Sequence, residues 1–222
     1  MKKILFSSLL LAMVSIMVAS CSSCQSGGKP SGEANSDSAN VVSTVCNIVV
    51  ENCISMDRQA MFFKCNGDSS YYRWFETTVV LENLLNSGDT ANDVCSVTNV
   101  FQKIIEFDKG ADTMVYYFRH GKDGSVEIDS VHSWYAECEP LEREPIKITF
   151  MQAYERLMNA NVPKPESRYC VLRKQVGIKD CNPQYIFGNT KYQVYVDGVN
   201  GNVQTENPAF GGDFGKPLGE WP

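Results

Sequence analysis

Val194-Tyr195-Val196-Asp197-Gly198-Val199-Asn200-Gly201-Asn202-Val203 reads as a strand, a tight turn and a returning strand. β-Branched and aromatic residues run up to Asp197, and Gly198 to Gly201 supply the turn. Working back, Lys191 to Val196, Gln184 to Phe187 and Arg168 to Val176 predict three strands, with Gly188-Asn189 as a second turn. Pro163 and Pro165 end the preceding segment, because proline cannot continue a helix. In that segment Thr149 and Gln152 fit a capping box, each side chain meeting the other's exposed backbone donor. Phe150, Ala153, Tyr154, Leu157 and Met158 then recur at helical spacing as one apolar stripe. The expectation from these elements is α+β, a helix followed by strands.

From about Ile146 to Thr205 these residues resemble the PepSY domain family. The ending is similar to that family's V-x-V-D-x-x-T-G-x-V signature, with Asn200 where threonine is usual. The resemblance implies a small helix on an antiparallel sheet and a module, often lipid-anchored, that holds or inhibits partner proteins. Cys170, Cys181 and the insertion Ile178 to Pro183 depart from the simplest family pattern.

Asp197 invites a reading as a metal ligand or general base. A turn role weighs more, because an Asp at a strand end accepts from the turn's amides while Gly201 supplies positive φ. Asn200 completes this turn-forming set. A calcium loop fails on spacing, since Val199 and Gly201 stand where oxygen donors are needed.

Upstream, Val94, Val97, Phe101, Ile104 and Ile105 predict a helix. Met114 to Arg119, a turn at Gly121 to Gly124, and Val126 to Trp134 follow it. Residues 91–130 are open between a divergent copy of the C-terminal design, Asp123-Gly124-Ser125-Val126 aligning with Asn200-Gly201-Asn202-Val203, and a chance likeness, since glycine turns recur in hairpin proteins. Met61 to Cys65 and Tyr71 to Leu81 flank Asn66-Gly67-Asp68 as an expected hairpin. Val42 to Cys53 is open between helix and strand.

The N-terminus carries an address. Met1-Lys2-Lys3, an apolar run from Ile4 to Val14, and Val18-Ala19-Ser20-Cys21 follow the order of an export signal, and the last four residues resemble a bacterial lipobox. The resemblance implies cleavage before Cys21 and acylation of it, which anchors the chain to a membrane. Ser22 to Asn40, rich in Gly, Ser and Asn, reads as a flexible tether. Bacteroidetes-type surface lipoproteins carry acidic residues after the lipidated cysteine; Ser22, Ser23 and Cys24 stand here, favouring an outer-membrane anchor facing the periplasm, with surface exposure as the alternative. The organisation is therefore a signal over 1–20, a tether over 21–40, a disulfide-rich α+β region over 41–143, a PepSY-like domain over 144–207 and a Gly/Pro-rich tail over 208–222.

Of 20 Lys and Arg, loss of Lys2 and Lys3 leaves 18 against 26 Asp and Glu. Such a surface repels polyanions, which excludes nucleic acid as an expected partner. Nine cysteines are present; without Cys21 the rest are even in number, as expected of an oxidised, exported chain. Cys46, Cys53, Cys65 and Cys95 can pair among themselves, Cys170 and Cys181 would close a short loop, and Cys24 and Cys138 remain. Cys21-Ser-Ser-Cys24 has redox-motif spacing but lies in the tether, and neither His120 nor His132 is spaced from cysteines as in a zinc site. No metal or other cofactor is expected.

No nucleophile elbow, zinc-protease motif or phosphate loop is present. His132 and Ser133 are neighbours in an expected strand and point to opposite faces. Glu137, Glu139, Glu142 and Glu144, interleaved with Pro140 and Pro145, read as a solvated linker. Tyr71-Tyr72-Arg73-Trp74-Phe75 fits either a binding face or the alternating burial of a strand. The expectation is a noncatalytic, protein-binding or inhibitory envelope module; the alternative is a carrier of a small molecule or glycan.

Overall fold

The computed structural model describes residues 48–88, 92–107, 110–133, 139–141, 145–175 and 181–205. Helix α1 spans Val50–Lys64 and α2 spans Phe150–Asn159. The strands are β1 (Tyr72–Leu81), β2 (Val94–Phe107), β3 (Gly110–Gly121), β4 (Val126–His132), β5 (Tyr169–Arg173), β6 (Gln184–Gly188), β7 (Gln193–Asp197) and β8 (Val203–Gln204). All eight join one antiparallel sheet in the order β4-β3-β2-β1-β5-β6-β7-β8.

This corrects the expected α+β class: the described chain is mainly β. The ladder between β1 and β5 carries hydrogen bonding across the expected boundary at residue 144, so both sides contribute strands to one sheet. The helix expected from Val94 to Ile105 is strand β2. Its Val97, Val100 and Phe101 are all buried, and burial on both faces removes the strict alternation that marks a strand. The hairpin expected around Asn66-Gly67-Asp68 is instead the end of α1. Lys64 closes the helix, and Asn66 and Gly67 take positive φ of 54° and 82° as the chain leaves it.

The register explains the core. One row across the sheet runs His120, Val97, Val79, Cys170, Phe187 and Val194; the next runs Phe118, Asn99, Thr77, Leu172, Tyr185 and Val196. Both rows sit on the face the helices cover. Phe150, Ala153, Tyr154 and Leu157 of α2, and Val50, Cys53 and Met61 of α1, join that cluster. Burying a large apolar side chain stabilises by about 1.5–3 kcal/mol, so these rows hold the layers together.

A helix followed by four meandering strands occurs twice, α1 with β1 to β4 and α2 with β5 to β8, the halves meeting at β1 and β5. The aligned turns share two features. Asp123 Oδ1 accepts from Ser125 N at 3.0 Å and Asn200 Oδ1 from Asn202 N at 2.8 Å, while Gly124 and Gly201 have φ of 81° and 74°. The unit that repeats begins at α1 rather than at residue 91.

Cys170 and Cys181 are not bridged, contrary to expectation. Cys170 faces Phe187, and the ladder continues in register to Arg173 opposite Gln184. Three residues at about 3.3 Å each carry the returning chain roughly 10 Å from Cys170, beyond disulfide reach, and Cys181 precedes that point. Cys53, Cys65 and Cys95 also lie outside any disulfide. Cys53 and Cys65 stand twelve positions apart along α1, about 18 Å at helical rise. Cys21, Cys24, Cys46 and Cys138 lie outside the described residues, as do the signal, the tether and the tail.

Candidate functional site

Two features gather polar chemistry against the sheet. The first is a buried chain of hydrogen bonds beneath α1. The buried positions of α1 are Val50, Cys53, Asp57 and Met61, a helical stripe whose third member is a carboxylate. Asn99 Nδ2 donates to Asp57 Oδ2 at 2.6 Å, and His120 Nε2 lies 2.8 Å from the same oxygen. Thr77 Oγ1 donates to Asn99 Oδ1 at 2.5 Å and accepts from Trp74 Nε1 at 3.2 Å. Every hydrogen bond in the relay points toward Asp57. Asp57 is 3% exposed and His120 6%, which closes the pair to any substrate.

The hydrogen bond with Asp57, helped by Cys53, outweighs burial and pushes the His120 pKa up to about 9. His120 is therefore an imidazolium at neutral pH, a cation locked to a carboxylate. Cys53, His120 and Asp57 are the residue types of a cysteine nucleophile and its base. Here the imidazole's protons are committed to internal partners, so the constellation works as a buried ion pair. The sequence carried little sign of it: Asp57 and His120 are 63 positions apart, and each reads locally as an exposed polar residue.

The second feature is a cavity of about 290 Å³ between α1, β1, β6 and the segment 145–149. Trp74 connects the two features, its indole N–H in the relay and its ring in the cavity wall. The Arg58 guanidinium carbon lies 5.8 Å from the Trp74 ring centroid, a cation–π contact. Glu51, from the start of α1, accepts from Phe150 N at 2.7 Å and so caps the first turn of α2. The capping box of α2 is present in both directions, with Thr149 N to Gln152 Oε1 at 2.9 Å and Gln152 N to Thr149 Oγ1 at 3.2 Å. Tyr185 donates its hydroxyl to Ile148 O at 2.7 Å, and burial pushes its pKa far up.

Asp197 sits at the end of β7. Oδ1 accepts from Val199 N at 2.8 Å and Asn200 N at 3.0 Å, while Oδ2 accepts from Asn182 Nδ2 at 2.9 Å and Gln184 Nε2 at 3.3 Å. Burial pushes its carboxyl up, but these donors, Asn182 foremost, more than offset it and hold the pKa below the usual range. Gly201 N closes the turn on Asp197 O at 2.8 Å. The structure thus groups Asp197, Asn200 and Gly201 in one turn, away from the buried pair. His132 Nδ1 lies 3.0 Å from Asp112 Oδ2 on the exposed rim. Within the aromatic segment Tyr72, Trp74 and Phe75 are buried and Tyr71 is half-buried, so most of it serves packing. Among the described residues, no three His, Cys, Asp or Glu side chains converge as a metal site.

Compared with known proteins, the chain matches no family model, no curated protein and no solved structure.

Proposed function

We propose that this chain is a cell-envelope protein, lipid-anchored through Cys21 at the outer membrane and facing the periplasm, that binds a partner protein without catalysis. The observation that carries this reading is strand β4. It is the outermost strand beside β3, all seven of its residues are exposed, and Val126, Ile128 and Val131 are 46%, 51% and 48% exposed. An edge strand of this length presents a row of backbone donors and acceptors that an extended partner segment completes, with side chains setting specificity. Glu127 and Asp129 stand on one face of β4, while Val126 and Ile128 stand on the other. Over Val126 to Asp129, a partner segment that alternates apolar and basic residues matches this pattern.

The PepSY resemblance of residues 146–205 supports a holding or inhibitory role, and the lipobox supports the anchor. The Asp57–His120 pair is sealed from substrate and so supplies no chemistry to this reading.

A photocrosslinking residue placed at Ser130 in native envelopes tests the reading, with the same residue at exposed Leu84 as control. A discrete protein adduct from position 130, lost in a Glu127→Lys/Asp129→Lys double variant, is expected. No adduct at 130, or the same adduct from both positions, counts against strand addition. Cys21→Ala tests the anchor separately, because the variant should lose acyl label and detergent partitioning.

A further inference from the structure

We propose that the cavity between α1 and the segment 145–149 binds a small amphipathic carboxylate, its anion held by Arg58 and Lys147 and its apolar body against Trp74, Ile54 and Leu141. This site is distinct from the β4 edge, and neither depends on the other.

Around the cavity Phe150 N is engaged by Glu51, Ile148 O by Tyr185, and Thr149 by its capping box. Among the described residues Glu51 is the single acid of the lining, and its Oε1 is engaged at the start of α2. Arg58 and Lys147 are left. Among the described residues neither side chain has a carboxylate within 4.0 Å or a hydrogen bond of its own.

The cavity is thus a cationic spot on a chain whose formal net charge is −6. Acids outnumber bases, yet among the described residues these two bases stand unpaired beside one hollow. The guanidinium stacked on Trp74 offers a planar fork suited to a carboxylate, and Lys147 adds a second positive charge. The remaining walls are apolar: Leu141 is fully buried, and Ile54 and Ile146 are half-buried and packed on the core. At about 290 Å³ the volume suits one ring or short chain rather than a large ligand. A few charged groups on an apolar bed select a molecule with an anion at one end and a hydrocarbon body at the other.

The chemistry is shared by a free aryl or alkyl acid and by the last residue of a peptide. The test uses the full chain in detergent and isothermal titration. 3-Phenylpropionate should bind saturably and 3-phenylpropionamide at least tenfold more weakly, because one charged pair at about 1.4 kcal/mol corresponds to that factor. Arg58→Gln and Lys147→Gln should each weaken the acid about fivefold or more with unchanged melting temperature. Because Arg58 also packs on Trp74, a fall in its melting temperature would pass the decision to exposed Lys147. A tetrapeptide ending in free phenylalanine that outcompetes the acid would identify a peptide end as the source; the reverse order would identify a free acid. Equal binding of acid and amide, indifference to Lys147→Gln, or no saturable binding up to about 10 mM overturns the proposal.

Discussion

His120 Nε2 and Asp57 Oδ2 stand 2.8 Å apart beneath α1, at the closed end of a relay that begins at the Trp74 indole. Because the folded His120 pKa is about 9 against an ordinary 6.5, the pair's contribution is fully present below pH ~6.5 and is lost as pH rises through about 9. The shift corresponds to at most about 3 kcal/mol. Denaturant unfolding from pH 5 to 10 should therefore show stability falling on the alkaline side. His120→Gln should flatten that slope, and Asp57→Ala should cost about 3 kcal/mol at neutral pH, because burial then drives His120 to shed its proton and the Asn99 amide loses its acceptor. An alkaline slope unchanged in His120→Gln would show that other groups carry it.

Legibility in the sequence followed locality. The capping pair Thr149 and Gln152, the stripe of α2 and the turn from Asp197 to Gly201 are decided by residues within a few positions of one another, and the structure has them. Strand β2 escaped because Val94, Val97, Phe101 and Ile104 fit a helical stripe, whereas a strand covered on both faces keeps apolar residues on each. Helix α1 is inverted relative to a simple amphipathic pattern: Asp57 is buried while Met56 and Phe63 are exposed at 57% and 65%. The Asp57–His120 pair and the Arg58–Trp74–Lys147 cavity arise from long-range register, for which one sequence holds no local mark.

Gly188 is the position where a side chain has least room. It has φ 132°, and an added Cβ would lie 2.2 Å from Tyr192 O and 3.0 Å from Gln193 Cα, both backbone atoms that cannot swing away. Gly188→Ala should cost more than about 3 kcal/mol. At Gly124, with φ 81° and open space around the missing Cβ, the same change should cost only about 1 kcal/mol from backbone strain. Comparable losses at both sites in urea titrations would contradict the steric argument.

The cysteine arrangement predicts a contrast between Cys170 and Cys181. Cys170 is fully buried in the central row, and burial holds its thiol well above the ordinary range. It should resist alkylation in the native state and react once the chain is unfolded without reductant. Cys170→Ser should cost about 1–3 kcal/mol by burying a hydroxyl in an apolar row. Cys181→Ser should cost less than about 0.5 kcal/mol, whereas loss of a disulfide typically costs 2–5 kcal/mol. A Cys170–Cys181 peptide in a non-reducing map would refute this.

Asp197 and Gly201 share one turn but should fail differently. Asn at 197 keeps an acceptor for the Val199 and Asn200 amides but sets a new N–H₂ group against the Asn182 and Gln184 donors, which must flip. The expected loss is about 1–2 kcal/mol. Because the folded Asp197 pKa is lowered, its stabilisation is present above the ordinary carboxylate value and lost as pH falls through the folded one, so Asp197→Asn should also blunt acid unfolding. Gly201→Val should cost more, since φ is 74° and the added Cβ would lie 2.5 Å from the Arg156 guanidinium carbon. Arg156 can swing away, but only by giving up its 3.4 Å contact with Gly201 O. Unfolding curves of both variants, run beside crosslinking from position 130, separate structure from binding. Asp197→Asn that melts like the parent chain yet abolishes the adduct would make the carboxylate a contact for the partner instead of a turn residue.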